Sequence, residues 1–178
     1  MAWTTEGGPI VTRCSTQIGC AVALTLISTA FMKVDPAQRR TGGPALVPVE
    51  ISLKIAGQPY DVKGQASCTH APKGSIYDVV SEMWTVRHEQ EGGSVQLTLW
   101  KPVDGSASMF TLSTNGKKNT SITTVRGGQV SGSGTVAFAP SGKGGTFTID
   151  ARSKANETVT GTIICQAFTP AIAEGGDE

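Results

Sequence analysis

The stretch VEISLKI, residues 49–55, alternates apolar and polar side chains at every position. Successive side chains of an extended strand point to opposite faces, so this alternation predicts a strand with one buried and one solvated face. The turn-forming stretch AGQP, residues 56–59, comes next, and a second alternating stretch then runs to Cys68. Residues 49–68 are therefore predicted to form a β-hairpin, which favours an antiparallel fold.

Similar short alternating stretches continue along the chain, separated by turn signals such as Asn115-Gly116. Their spacing predicts an all-β antiparallel sandwich or barrel of about eight to ten strands. Gly132 and Gly134 interrupt one stretch and indicate a bend, a bulge or the close approach of another backbone. The predicted core comprises Val49, Ile51, Leu53, Val62, Val86, Leu97, Leu99, Phe110, Val136, Phe138, Phe147, Ile149, Val159 and Ile163.

One segment departs from the alternation of strands. After Ser75, the apolar residues of positions 76–83 recur at intervals of three and four, with Asp78 three residues after Ser75. This spacing is typical of a capped amphipathic helix. We therefore expect one short helix near residues 75–83, with a loop as the alternative.

The amino-acid composition indicates which classes of macromolecule the chain is not expected to bind through charge alone. Charged residues make up 16% of the chain and its formal net charge is +1, whereas about 25% of the residues of an average soluble domain are charged. The chain lacks the excess of basic residues with which proteins bind nucleic-acid phosphates. No nucleic-acid partner is expected. The 22 glycines are typical of a protein with many turns.

The chain has one continuous apolar stretch, IGCAVALTLISTAFM, at residues 18–32. Its length of about 15 residues is short of the roughly 20 that cross a bilayer, but it suits the apolar region of a secretory signal peptide. Arg13 precedes the stretch, and Ser28 and Ala30 provide small residues for a cleavage site. We expect residues 1–32 to be a signal peptide or an apolar anchor or assembly segment. The alternative is a buried strand or helix of the folded domain.

The remaining boundaries come from composition. Residues 33–45 contain Asp35-Pro36 and Gly42-Gly43-Pro44 and are predicted to be a linker. The β domain is expected over residues 46–168, and residues 169–178 are expected to form a flexible tail.

The four cysteines fall into two pairs. Cys68 and Cys165 each lie on the apolar face of a predicted strand, so both thiols are expected to point into the core. A buried pair on separate strands favours a disulfide in a secreted protein, with two free core thiols as the alternative. Cys14 and Cys20 lie beside the apolar stretch and could pair, stay free or be removed with a signal peptide.

No pattern in the chain identifies a catalytic or metal site. The sequence contains neither a G-x-S-x-G nucleophile motif nor a phosphate-binding loop. Its two histidines, His70 and His88, lack the spacing of metal ligands. We expect no metal, no cofactor and no enzymatic activity. A hydrolase with an unrecognised site is the enzymatic alternative.

A ligand-binding surface is a further hypothesis. Trp100 is predicted on the exposed face of its strand, and Lys117, Lys118 and Arg126 lie at predicted turns or strand ends. An aromatic ring with nearby cations is suited to a glycan or an anionic ligand. The alternative is that these basic side chains only keep turns and strand edges soluble.

Several segments resemble small bacterial envelope proteins. The stretches GSGTVAF from Gly132, GGTFTI from Gly144 and TVTGTIIC ending at Cys165 are similar in style to the mycobacterial 19-kDa lipoprotein antigen family. A Gly-x-Val-x-Cys strand of that family is loosely matched by VKGQASC, residues 62–68. The lipid-anchor cysteine of the family has no counterpart in a valid lipobox here. The resemblance implies a surface-exposed β domain without known catalysis.

These observations lead to a functional hypothesis. The chain is expected to be a secreted, periplasmic or cell-surface β domain that acts through protein contacts or self-assembly. Residues 18–32 are its only expected contact with a membrane. In one specific form, the apolar segment of one subunit completes a neighbour's sheet by strand addition. A module that binds a glycan or an anionic ligand is the alternative.

Overall fold

The structure, a computed structural model, describes residues 44–171. All regular structure in this range is strand, and the first strand begins at Leu46. None of these residues belongs to a helix that could cross a membrane. The strands are β1 (Leu46–Ile55), β2 (Gln58–Ile76), β3 (Val79–Gln90), β4 (Gly93–Pro102), β5 (Met109–Asn115), β6 (Thr120–Thr123), β7 (Gly132–Ser141), β8 (Gly144–Ser153), β9 (Thr158–Cys165) and β10 (Thr169–Pro170).

The strands form one sheet in the order β6-β5-β4-β3-β2-β1-β9-β8-β7, and β10 pairs with β2. Every pairing is antiparallel except that of β10, which is parallel. The sheet curls until its ends meet, and the Ser131 amide donates a hydrogen bond to the Thr123 carbonyl at 2.9 Å. The prediction of an all-β antiparallel sandwich or barrel is confirmed, in the form of a nearly closed barrel.

The turns divide between the two ends of the barrel. The β1–β2, β3–β4 and β5–β6 turns lie at one end, which we call the proximal end. The β2–β3, β4–β5 and β7–β8 turns lie at the other, which we call the distal end. This division decides which side chains can meet.

The interior is filled by the apolar faces that the alternation predicts. In β1, the residues Val49, Ile51 and Leu53 are at most 3% exposed. All the predicted core residues are buried except Val62 and Phe138, which are partly buried and packed against the core. Period-2 patterning was therefore sufficient to identify the interior of this barrel.

A disulfide joins Cys68 of β2 to Cys165 of β9 inside the barrel. Strand β1 lies between these two strands, so the bond spans it. The bond closes a loop with a sequence separation of 97 residues, for which chain entropy gives about 4–5 kcal/mol of stabilisation. The expected pairing is thus present. Cys14 and Cys20, and with them the expected signal peptide or assembly segment, lie outside the described residues.

The prediction of a helix near residues 75–83 is wrong. The chain continues as strand to Ile76, turns at Tyr77 and Asp78, and returns as β3 from Val79. Both turn residues have positive φ, 46° and 63°, which is the geometry of a tight hairpin turn. The Val80 side chain, expected on a buried helical face, is 54% exposed. The backbone hydrogen bonds between β2 and β3 therefore outweigh the weak helix preference that the spacing of the apolar residues indicates.

The C-terminal boundary also differs from the expectation. Thr169 and Pro170, expected to begin a flexible tail, form β10 beside β2. The Ala171 amide donates to the His70 carbonyl at 3.0 Å, and the Thr169 hydroxyl donates to the Cys68 carbonyl at 3.3 Å. The chain after the disulfide is therefore held against β2.

Candidate functional site

The predicted ligand-binding residues lie at opposite ends of the barrel. Lys117 and Lys118 are exposed in the β5–β6 turn at the proximal end. Trp100 lies near the distal end of β4, partly exposed and in register with Met83 and Met109.

Arg126 is also distal. Its guanidinium Nη2 donates to Ser106 Oγ at 2.8 Å and to the Ala107 carbonyl at 3.3 Å, which ties it to the β4–β5 loop. The single patch expected from the four residues is not formed. The sequence predicts Lys117, Lys118 and Arg126 at turns or strand ends and Trp100 on an exposed strand face, but it does not indicate which end of the barrel each would occupy.

The most distinctive feature of the fold is the side of β7 that faces away from β8, here called the β7 edge. Among the described residues, β7 pairs with β8 alone, and β6 is the strand at the other end of the sheet. Strand β6 has only 4 residues against 10 in β7. It comes close to β7 at Gly132, where an added Cβ would lie 2.9 Å from Ile122 Cγ2, but it forms no strand pairing with β7. Most of β7 therefore has no strand partner on this side.

The β7 edge lacks the usual protection against pairing with another chain. Edge strands are commonly short or carry lysines that oppose edge-to-edge contact. The sequence GSGTVAFAPS of β7 contains no charged residue, and Pro140 near its end is its only blocking residue. Thr135, Ala137 and Ala139 are all exposed. A long, uncharged edge of this kind can accept an added strand.

Strand β7 is held closely to β8 by its glycines. Gly132 and Gly134 have positive φ, 141° and 126°. A Cβ on Gly134 would collide with the Asp150 carbonyl of β8. The close backbone approach that these glycines indicated in the sequence is therefore present. The sequence indicates the close approach at these glycines but not the free edge, because an edge is defined by the order of strands.

A second surface is an open cleft of about 490 Å³ at the distal end. Its base is an aromatic cluster in which the His70 and Trp84 rings stack at 5.0 Å and Phe138 lies 4.6 Å from Trp84. Phe168 meets Phe138 edge-on at 5.7 Å. Trp84 is only 4% exposed, so the cluster is mainly a packed end of the core.

His70 also makes the one histidine–carboxylate contact among the described residues, with Nε2 2.8 Å from Glu82 Oε1. This pair could not be predicted from the sequence, because it depends on the register of β2 with β3. No group of three or more His, Cys, Asp or Glu side chains within residues 44–171 is placed to hold a metal ion.

Comparison with protein-family models, with curated proteins and with solved structures gives no match for this chain.

Proposed function

We propose that the chain is a secreted or cell-envelope subunit that acts through protein contacts and assembles by strand addition. In this proposal, the apolar segment of residues 18–32 from one copy pairs with the β7 edge of another. The observation that carries the proposal is the β7 edge, which runs for 10 residues without charge and has no strand partner along most of its length.

The two proposed partners are similar in length and in charge. Residues 18–32 contain no charged side chain, and neither does β7. An extended segment of about 15 residues is long enough to cover the whole edge at about 3.3 Å per residue. Residues 33–45 between segment and barrel span up to about 40 Å when extended, which is sufficient to reach a neighbouring molecule.

The proposed location rests on separate observations. Disulfides persist in oxidising compartments, and the Cys68–Cys165 bond lies in the core. The resemblance to the 19-kDa lipoprotein antigen family and the apolar stretch near the N-terminus support an envelope or extracellular location as well.

Light scattering after size-exclusion chromatography tests the proposal on the full chain, with its N-terminus checked by mass spectrometry. Wild type is expected to be larger than a monomer. A variant with Thr135→Lys and Ala137→Lys should be monomeric, because both exposed positions bring charge to the β7 edge. Thr135 lies opposite Asp150 of β8, so the side chain introduced by Thr135→Lys lies next to a carboxylate of the same chain.

The matched control carries Ser113→Lys and Thr148→Lys. These positions are equally exposed but lie on β5 and β8, which have strand partners on both sides. This control should keep the wild-type mass. A monomeric wild-type chain with residues 1–32 intact would refute the assembly, as would an edge variant that assembles like wild type.

A further inference from the structure

The proximal end of the barrel contains a small cavity that is independent of the β7 edge. Its volume is about 140 Å³, larger than the ~30 Å³ that one water molecule occupies in the liquid. Ile55, Pro59 and the Tyr60 side chain form its apolar wall, and the β5–β6 turn with Lys117 and Lys118 forms its mouth. No acidic residue lines it.

Two residues that line the cavity carry a hydroxyl group without a hydrogen-bond partner. Thr114 is 5% exposed, and its Oγ1 is buried without a partner. The Tyr60 hydroxyl is buried in the same way. Leaving a buried polar group unpaired costs about 1–3 kcal/mol in a folded protein. Such groups at one cavity indicate a binding site, because a ligand that pairs with them recovers this loss.

A third buried polar atom without a hydrogen-bond partner lies away from the cavity. His88 Nε2 is also buried without a partner, but His88 does not line the cavity. Its Nδ1 lies 3.0 Å from the Gln65 carbonyl and must donate to it, since a carbonyl only accepts. Tyr60 and Thr114, by contrast, both line the same small cavity.

The charges at the mouth indicate the class of ligand. Lys118 is engaged with Glu157, their Nζ and Oε1 atoms lying 3.3 Å apart. Lys117 makes no salt bridge among the described residues. A free ammonium group at the mouth and two hydroxyl donors inside favour an acceptor with negative charge. The apolar wall favours a hydrocarbon group attached to it.

We propose that the proximal cavity binds a small organic carboxylate. The carboxylate accepts hydrogen bonds from the Tyr60 and Thr114 hydroxyls and faces Lys117, while its hydrocarbon part packs on Ile55 and Pro59. Of the four residues expected to bind an anion, only Lys117 and Lys118 line this cavity, and only Lys117 faces the proposed carboxylate. It does not depend on strand addition at β7.

Titration calorimetry of the full chain with sodium benzoate tests the proposal, with benzamide as the uncharged analogue at matched ionic strength. Benzoate should bind once per chain, and benzamide at least about tenfold more weakly. Thr114→Val and Tyr60→Phe should each weaken benzoate binding about tenfold. Both variants remove only an unpartnered hydroxyl, so their free energy of unfolding should be unchanged or higher, which separates lost binding from lost folding.

Lysine variants provide the matched control. Lys117→Gln should weaken benzoate binding severalfold, and Lys143→Gln, at the exposed β7–β8 turn of the distal end, should leave it unchanged. Benzoate binding absent up to about 10 mM would overturn the proposal. Equal binding of benzamide would also do so, as would wild-type affinity in a folded Thr114→Val variant.

Discussion

Tyr60, a partly buried residue, packs against the core and lines the cavity. Its ring packs against the backbone at Gly93, where an added Cβ would lie 3.1 Å from Tyr60 Cε2. Burial raises the pKa of the Tyr60 hydroxyl above its ordinary value of 10.0. The folded protein therefore keeps a proton that the unfolded chain releases in alkaline solution.

The sign of the resulting pH dependence follows from that shift. The contribution of Tyr60 to stability is fully present below the unfolded pKa of about 10 and is lost as pH rises through the folded pKa. Urea unfolding at pH 8 and at about pH 10.5 should show a smaller alkaline loss in Tyr60→Phe than in wild type. Tyr77→Phe, at an exposed side chain, should keep the wild-type loss. Equal losses in all three proteins would contradict this role of Tyr60.

The alternation of apolar and polar residues predicts which side chains are inside the barrel, but not which hydrogen-bond partners they meet there. Cys68 and Cys165 could be paired from the sequence, because a position on an apolar face is enough to place both thiols inside. The unpartnered hydroxyls of Tyr60 and Thr114 could not be identified. Whether a buried hydroxyl finds a partner depends on side chains from other strands, and the sequence does not give their register.

Strand β9 contains a glycine with positive φ, Gly161. This strand lies between β1 and β8, and Gly161 is opposite Leu53 on one side and Ile149 on the other. Its φ is 135°, and an added Cβ would collide with the Ser52 carbonyl and lie 2.9 Å from Leu53 Cα. Glycine at this position therefore allows the backbones of β9 and β1 to approach closely.

We predict that Gly161→Ala lowers the free energy of unfolding by about 2–4 kcal/mol, the sum of backbone strain and overpacking. Gly64→Ala is the matched control, because an added Cβ there would have its nearest contacts at 3.5 and 3.9 Å. It should change stability by less than about 1 kcal/mol. Denaturant unfolding measures both variants, and a Gly161→Ala protein as stable as the control would contradict the proposed close packing.

The β2–β3 hairpin shows why one element was mispredicted. Tight turns with positive φ at both central residues usually contain Asn-Gly or Asp-Gly, whereas this one contains Tyr77-Asp78. The turn therefore lacked its usual sequence signal. Tyr77 instead packs over the β6–β7 loop, close to where an added Cβ would lie on Gly127 and Gly128. Tertiary contacts thus favour the hairpin in the place of a local helix.

For the molecule as a whole, the sequence predicted the fold class and the core but not the surfaces. Alternation within each strand indicates which side chains are inside, and it does so without knowledge of strand order. The order β6-β5-β4-β3-β2-β1-β9-β8-β7 decides which strands are edges and which turns share an end. For this reason Trp100 and Lys117 were expected together but lie apart, and the β7 edge went unrecognised.

In the proposed assembly, the β7 edge pairs with a strand from another copy. Hydrogen–deuterium exchange of the intact full chain at about 1 µM and about 100 µM tests this pairing, because association protects amides only at the higher concentration. Slower exchange at high concentration is predicted in the peptide covering residues 132–141, and unchanged exchange in β3, which is paired on both sides. Exchange in residues 132–141 that is the same at both concentrations would contradict the claim.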